Sequence, residues 1–72
     1  MRTTSPVDDP MLGEADLRLL RLLASGLPLE TVARRTALSE RTVRRRVRAI
    51  CDRLGVTTPI EAVVWAARRG ML

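Results

Sequence analysis

The apolar positions of this chain fall at helical spacing in four runs separated by turn residues. The clearest run is 39–54. At about 100° per residue, Val43, Val47, Ile50 and Leu54 share one narrow face, an i, i+4, i+7, i+11 pattern with Cys51 at its border. Ser39 is of the type that caps a helix N-terminus, Glu40 places negative charge in the first turn, and Gly55 suits the end. Opposite the apolar seam project Arg45, Arg41, Thr42 and Ala49, with Arg48 and Arg44 on one shoulder and Arg46 on the other. Everything else supports this element.

The preceding runs have their own punctuation. MRTTSPVDDP is polar and twice interrupted by proline, so residues 1–11 read as a disordered leader or linker. Leu12 to Ser25 predicts a first helix with Leu17, Leu20, Leu23 and Ala24 in one stripe, Leu19 at its edge and Leu22 well outside it. Gly13 stands at its start and Gly26 just past its end. Pro28 opens a second helix, where Leu29, Val32, Ala33 and Thr36 face inward and Arg34 and Arg35 outward. Only Thr36-Ala37-Leu38 separates it from Ser39, with Leu38 as the apolar plug of the turn. Two helices joined so tightly, the second carrying basic residues outward, form the pattern of a helix-turn-helix.

After Leu54-Gly55-Val56, Thr58-Pro59-Ile60-Glu61 is a capping box with proline at the first helical position. The fourth helix is expected to bury Ile60, Val63, Ala66 and Ala67, leaving Trp65, Glu61 and Arg68 outside and Val64 on the flank. Trp65 beside Val64 either meets a partner surface or lies down over its own core. The fold class is therefore all-α: a compact four-helix bundle with helices near 13–25, 29–36, 40–54 and 59–69, and a single domain over 12–72.

Charge changes the picture more than size does. The 72 residues carry 13 arginines and 8 acids, and residues 34–53 hold eight of those arginines against Glu40 and Asp52 alone. Such a patch attracts polyanions, nucleic acid being the usual one, whereas a merely solvated face is the plainer alternative. Glu40 pairs at best with Arg44. One cysteine and no histidine leave neither a disulfide nor a Cys/His metal site, so no metal or cofactor is expected, and Cys51 reads as a buried inert thiol. No apolar run approaches the roughly 18 residues of a membrane span, which points to a cytoplasmic chain, associated with the nucleoid if nucleic acid is its partner. With no histidine, tyrosine or lysine, no glycine-rich phosphate loop and no evident carboxylate pair, catalysis has no candidate residues.

The segments LRLLRLLASGL, Val32-Ala33-Arg34-Arg35, Leu38-Ser39-Glu40, Thr42-Val43, Val47, Ile50, Leu54-Gly55-Val56 and Ile60-Glu61-Ala62-Val63 together resemble the LuxR-type (GerE-like) helix-turn-helix domain of bacterial transcription regulators. Their order and spacing are specific, above all the Leu-Gly-Val break before a fourth helix. The resemblance implies sequence-specific binding of double-stranded DNA, with the third helix in the major groove and a homodimer formed through the fourth. It places Arg44, Arg45 and Arg48 near bases and Arg41, Thr42 and Arg46 at phosphates; the helical projection, which centres the outer face on Arg45 and puts Arg44 at a shoulder, ranks Arg45 and Arg48 first and Arg44 next. Trp65, Val64, Arg68 and Glu61 become the expected dimer interface. An N-terminal sensory or receiver domain in a longer parent chain, and RNA polymerase, are the further partners it implies.

Departures from the family pattern stand at Gly13 and Pro28, where it favours hydroxyl residues, and at Ala37, where it favours glycine. Arg46 occupies a frequent histidine position, and an arginine common near Pro59 is missing. Two rival readings share the basic helix: a sigma-factor region 4-like promoter-binding module, which the fourth helix disfavours, and a protein-interaction domain docking an acidic partner.

Overall fold

A computed structural model of the chain describes residues 12–72. The expected leader at 1–11 lies outside the described residues. Four helices follow in order: α1 (Glu14–Ala24), α2 (Leu29–Thr36), α3 (Glu40–Leu54) and α4 (Pro59–Arg68). No strand occurs among the described residues. The architecture is all-α, with bounds within a residue or so of those expected.

Each start and stop has a local cause. At α1, Gly13 is extended and offers no side-chain cap, so Glu14 and Asp16 in the first turn supply the favourable charge. Pro28 stands one residue before α2, at the cap position, where it has no side-chain acceptor; its carbonyl instead accepts from the Thr31 and Val32 N–H groups. Ser39 caps α3 through its Oγ, which accepts from Thr42 N–H at 3.0 Å. Thr58 and Glu61 make a full capping box at α4: the Glu61 carboxylate accepts from Thr58 N–H at 2.8 Å and Thr57 N–H at 3.0 Å.

Three helices end in one way. The residues after α2, α3 and α4 that turn left-handed are Ala37 (φ 60), Gly55 (φ 71) and Gly70 (φ 68). Behind each, the next N–H reaches back: Leu38 to Ala33 O, Val56 to Cys51 O and Met71 to Ala66 O, all at 3.0 Å. These are Schellman closures, a position that favours glycine because a Cβ crowds the following carbonyl. Ala37 occupies it without being glycine.

The core draws Leu19 and Leu20 from α1, Val32 and Ala33 from α2, Val43, Val47, Ile50 and Cys51 from α3, and Ala62 and Ala66 from α4. Among the described residues no polar or charged residue is buried. The third helix packs against all three others, as α1 also does, and it is both the longest and the most basic element. Two polar ties hold α1, one to α3 and one to α2. Arg53 at the end of α3 pairs with Asp16 at 3.2 Å, and the Arg18 guanidinium donates to the Arg35 carbonyl at 3.0 Å.

Two projections need correction. Ala24, expected in the α1 stripe, is exposed in the last turn, and Leu19 rather than Leu17 or Leu23 joins Leu20 in the centre. On α4 the buried line is Ala62–Ala66: Ala67 is exposed and Ile60 is 70% exposed, with Val63 half-buried. The helix packs on α1 and α3 along the Ala62–Ala66 line, where small side chains suit a close approach, and the larger residues lie on the flanks. In consequence Trp65 is not on an open outer face. It is half-buried against the core, and the Arg69 guanidinium lies over its ring at 3.9 Å from the centroid.

Candidate nucleic-acid interface

The site is built by burying one side of α3 so that the other has nowhere to go but outward. Val43, Val47 and Ile50 lock the rotation of the helix, with Val43 and Ile50 at 0% and 1% exposure. Arg41, Arg44, Arg45, Arg46 and Arg48 are then all exposed. Two clefts flank the helix. Arg44 and Arg48 border a groove of about 530 Å³ whose wall includes Val47 and Cys51, while Arg46 borders a smaller one shared with Arg18 and Leu38. Arg45 borders neither and stands between the flanks, as the helical projection expects.

Pairing sorts the basic residues. Arg34 meets Glu30 at 3.9 Å, Arg44 meets Glu40 at 3.7 Å and Arg53 is taken by Asp16. Among the described residues, Arg35, Arg41, Arg45, Arg46 and Arg48 have no acidic partner within 4 Å, and Asp52, one turn beyond Arg48, does not pair with it. The result is a strip of charge that the described residues leave uncompensated. Arg53, counted in the basic run from sequence, belongs to the scaffold.

Thr42 differs from the arginines around it. It is half-buried, its N–H goes to the Ser39 cap and its hydroxyl accepts from Ser39 Oγ at 2.9 Å, which leaves only its own hydroxyl proton to offer. Cys51 forms part of the groove wall but is 5% exposed. Burial pushes its thiol above the ordinary range, and the Asp52 and Glu61 carboxylates push the same way against a smaller opposing effect of Arg48. That is the profile of an inert thiol. No group of three or more metal-ligating side chains gathers among the described residues, and no helix among them is long and apolar enough to cross a membrane.

Against known proteins, the family described as "Bacterial regulatory proteins, luxR family" matches residues 11–66, which takes in α1 to α3 and most of α4. The chain belongs to the luxR family. It is 34% identical over 65 residues to the transcriptional regulatory protein YdfI of Bacillus subtilis, covering 90% of this chain and 30% of that one. It is 33% identical over 64 residues to the nitrate/nitrite response regulator protein NarL of Escherichia coli, covering 89% and 30%. The chain thus spans about a third of the length of the curated relatives it matches. No solved structure gives a significant match. The luxR-family assignment makes this a helix-turn-helix domain of DNA-binding transcription regulation, with α2 and α3 as the helix-turn-helix pair.

One contributor escaped the reading of α3. Arg18, on α1, reaches the end of α2 and shares the cleft of Arg46, so positive charge on that flank comes from two helices. Nothing in the local pattern of α1 signals it, because the meeting depends on how α1 crosses α2.

Proposed function

We propose that the domain binds double-stranded DNA sequence-specifically, with α3 in the major groove. The observation that supports this is the strip of exposed α3 arginines without acidic partners, set on a helix whose other face is buried. Arg45 and Arg48 are assigned to base edges, where a planar guanidinium can pair with guanine O6 and N7. Arg41 and Arg46 are assigned to phosphates, with Thr42 adding its hydroxyl. Arg18, beside Arg46, extends the phosphate side. Acidic side chains of a protein partner would meet the same charge, but the luxR-family assignment favours nucleic acid.

The domain works, in this proposal, as a homodimer on DNA. On α4 the apolar residues left exposed are Ile60 and Val64, with Ala67 continuing the i, i+4, i+7 line. They replace Trp65 as the centre of the expected interface, with Arg68 at its border. Glu61 is held in the capping box. A sensory or receiver domain N-terminal to this one, and RNA polymerase as the machinery acted on, belong to the same proposal; the relatives' greater length leaves room for the former.

Titrating the protein with duplex DNA at several salt concentrations tests the central point. Contact with about six phosphates gives a slope of log K against log salt near −5. Arg46→Ala should weaken binding to all sequences about equally, and Arg45→Ala should chiefly erode the preference for the selected site. No duplex binding at low salt refutes the proposal, and equal effects of both variants on specific and random DNA refute the division of roles.

A further inference from the structure

We infer that Glu40 and Arg44 act as one reader of a G·C base pair, Arg44 donating to guanine O6 and N7 while Glu40 accepts from the cytosine N4 amino group. This rests on the placement of α3 in the major groove. Glu40 is the sole acid between residues 31 and 51, and it stands exposed in the first turn of α3 among five arginines. It does not cap the helix, since Ser39 does that. Nor does its pairing with Arg44 contribute much to stability, because both side chains are about half-exposed or more, at 48% and 67%. A carboxylate here also repels the phosphates that the neighbouring arginines attract.

A carboxylate here also suits the start of the helix dipole, and the geometry of the pair gives it a further use. Glu40 Oε1 and Arg44 Nη2 are 3.7 Å apart, close enough to hold one another in place but too far for a hydrogen bond, so the acceptors of one and the donors of the other stay free. One helical turn sets them side by side on one face. The major-groove edge of G·C presents two adjacent acceptors followed by a donor, which is the complement of this arrangement. In A·T a donor, adenine N6, stands where guanine has O6 and would confront the guanidinium. Arg44, partly neutralised by Glu40, is by the same token a weaker phosphate ligand than Arg41 or Arg46.

The test is selection of bound duplexes from a random pool by the wild type and by Glu40→Gln, followed by salt titration on random duplex. The wild-type half-site should contain one position where G·C outranks A·T by about a hundredfold, two good contacts of roughly tenfold each. Glu40→Gln, which exchanges a charged acceptor for a neutral amide oxygen, should lose about threefold at that position and nothing elsewhere. It should also bind random duplex more tightly, with a slope steeper by about 0.9 as the released Arg44 takes a phosphate. Unchanged discrimination at every position overturns the inference, whatever happens to random binding. So does a wild-type half-site without a G·C requirement, an outcome that leaves DNA binding itself standing. A wild type that selects no motif fails at the earlier step. Thermal unfolding of Glu40→Gln close to wild type shows that the helix is intact.

Discussion

Ala37→Gly should stabilise this domain, although it removes a methyl group and adds no contact. Ala37 is exposed, so the core loses nothing. Its φ of 60° lies in the left-handed region, where a non-glycine residue costs about 1–2 kcal/mol through the clash of Cβ with the following carbonyl. Glycine in turn adds about 0.4–1 kcal/mol of unfolded-state freedom. The difference is a gain of about 0.5–1 kcal/mol. For a domain of this size that corresponds to a rise in Tm of about 3–6 °C.

Gly55→Ala is the reciprocal experiment, because the closure is the same and a Cβ at Gly55 meets nothing within 4 Å. It should lose a similar amount, and the double variant should unfold near wild type if the two turns are independent. Thermal melts followed by far-UV circular dichroism, with urea titrations to confirm an unchanged m-value, measure all three. An Ala37→Gly protein that melts at or below the wild-type temperature would refute the reasoning. It would mean that the turn between α2 and α3 draws its stability from the methyl group and not in spite of it.

Two further outcomes follow from α4. The Glu61 carboxyl is held below the ordinary carboxylate range by the N–H groups of Thr58 and Thr57 and by the Thr58 hydroxyl. A depressed folded-state value means stability that is present above the ordinary pKa of about 4.3 and is lost as pH falls through the folded value. The Tm difference between wild type and Glu61→Gln should therefore shrink between about pH 6 and about pH 3; a constant difference argues against the capping charge. Ile60→Asp and Val64→Asp, at exposed positions, should leave the monomer folded and reduce two proteins per inverted repeat to one, as read by sedimentation of the DNA complex. Retention of two with undiminished affinity removes α4 from the interface.

The four helices were legible because their signals are local: the valine and isoleucine seam of α3, Ser39 before Glu40, the Thr58–Glu61 box, Gly55 after Leu54. What escaped depends on neighbours distant in the chain. Asp16 and Arg53 are 37 residues apart, and no periodicity announces that they meet. The expected inner face of α4, Ile60, Val63, Ala66 and Ala67, is rotated from the observed Ala62–Ala66 line, because helical spacing alone does not say which stripe meets the neighbouring helices. At a close helix crossing the governing quantity is how near the backbones come, which favours Ala62 and Ala66 over Ile60. Trp65 followed from that rotation: lying over its own core was one of its two readings, and the Arg69 guanidinium over its ring is what the structure adds. The left-handed turn at Ala37 lacked a signal of its own, since alanine is the best helix former and nothing in it marks a helix end.

The arginines of α3 work against the helix that carries them. Arg41 with Arg44 and Arg45, and Arg48 with Arg44 and Arg45, are like-charged neighbours at i+3 or i+4, each pair costing about 0.2–0.5 kcal/mol. Four such pairs come to about 1–2 kcal/mol, relieved among the described residues by Glu40 alone. The cost is carried by the seam beneath, by the Ser39 cap and by the Gly55 closure, which are independent of the outer face. A solvated face would relieve this repulsion cheaply by interspersing acids, as Glu30–Arg34 does on α2. Among the described residues this repulsion is left standing, and in the proposed complex a phosphate backbone would relieve it while releasing its own counterions. In that proposal the repulsion that weakens the free helix becomes part of the affinity of the bound one, and stability and binding are divided between the two faces of α3.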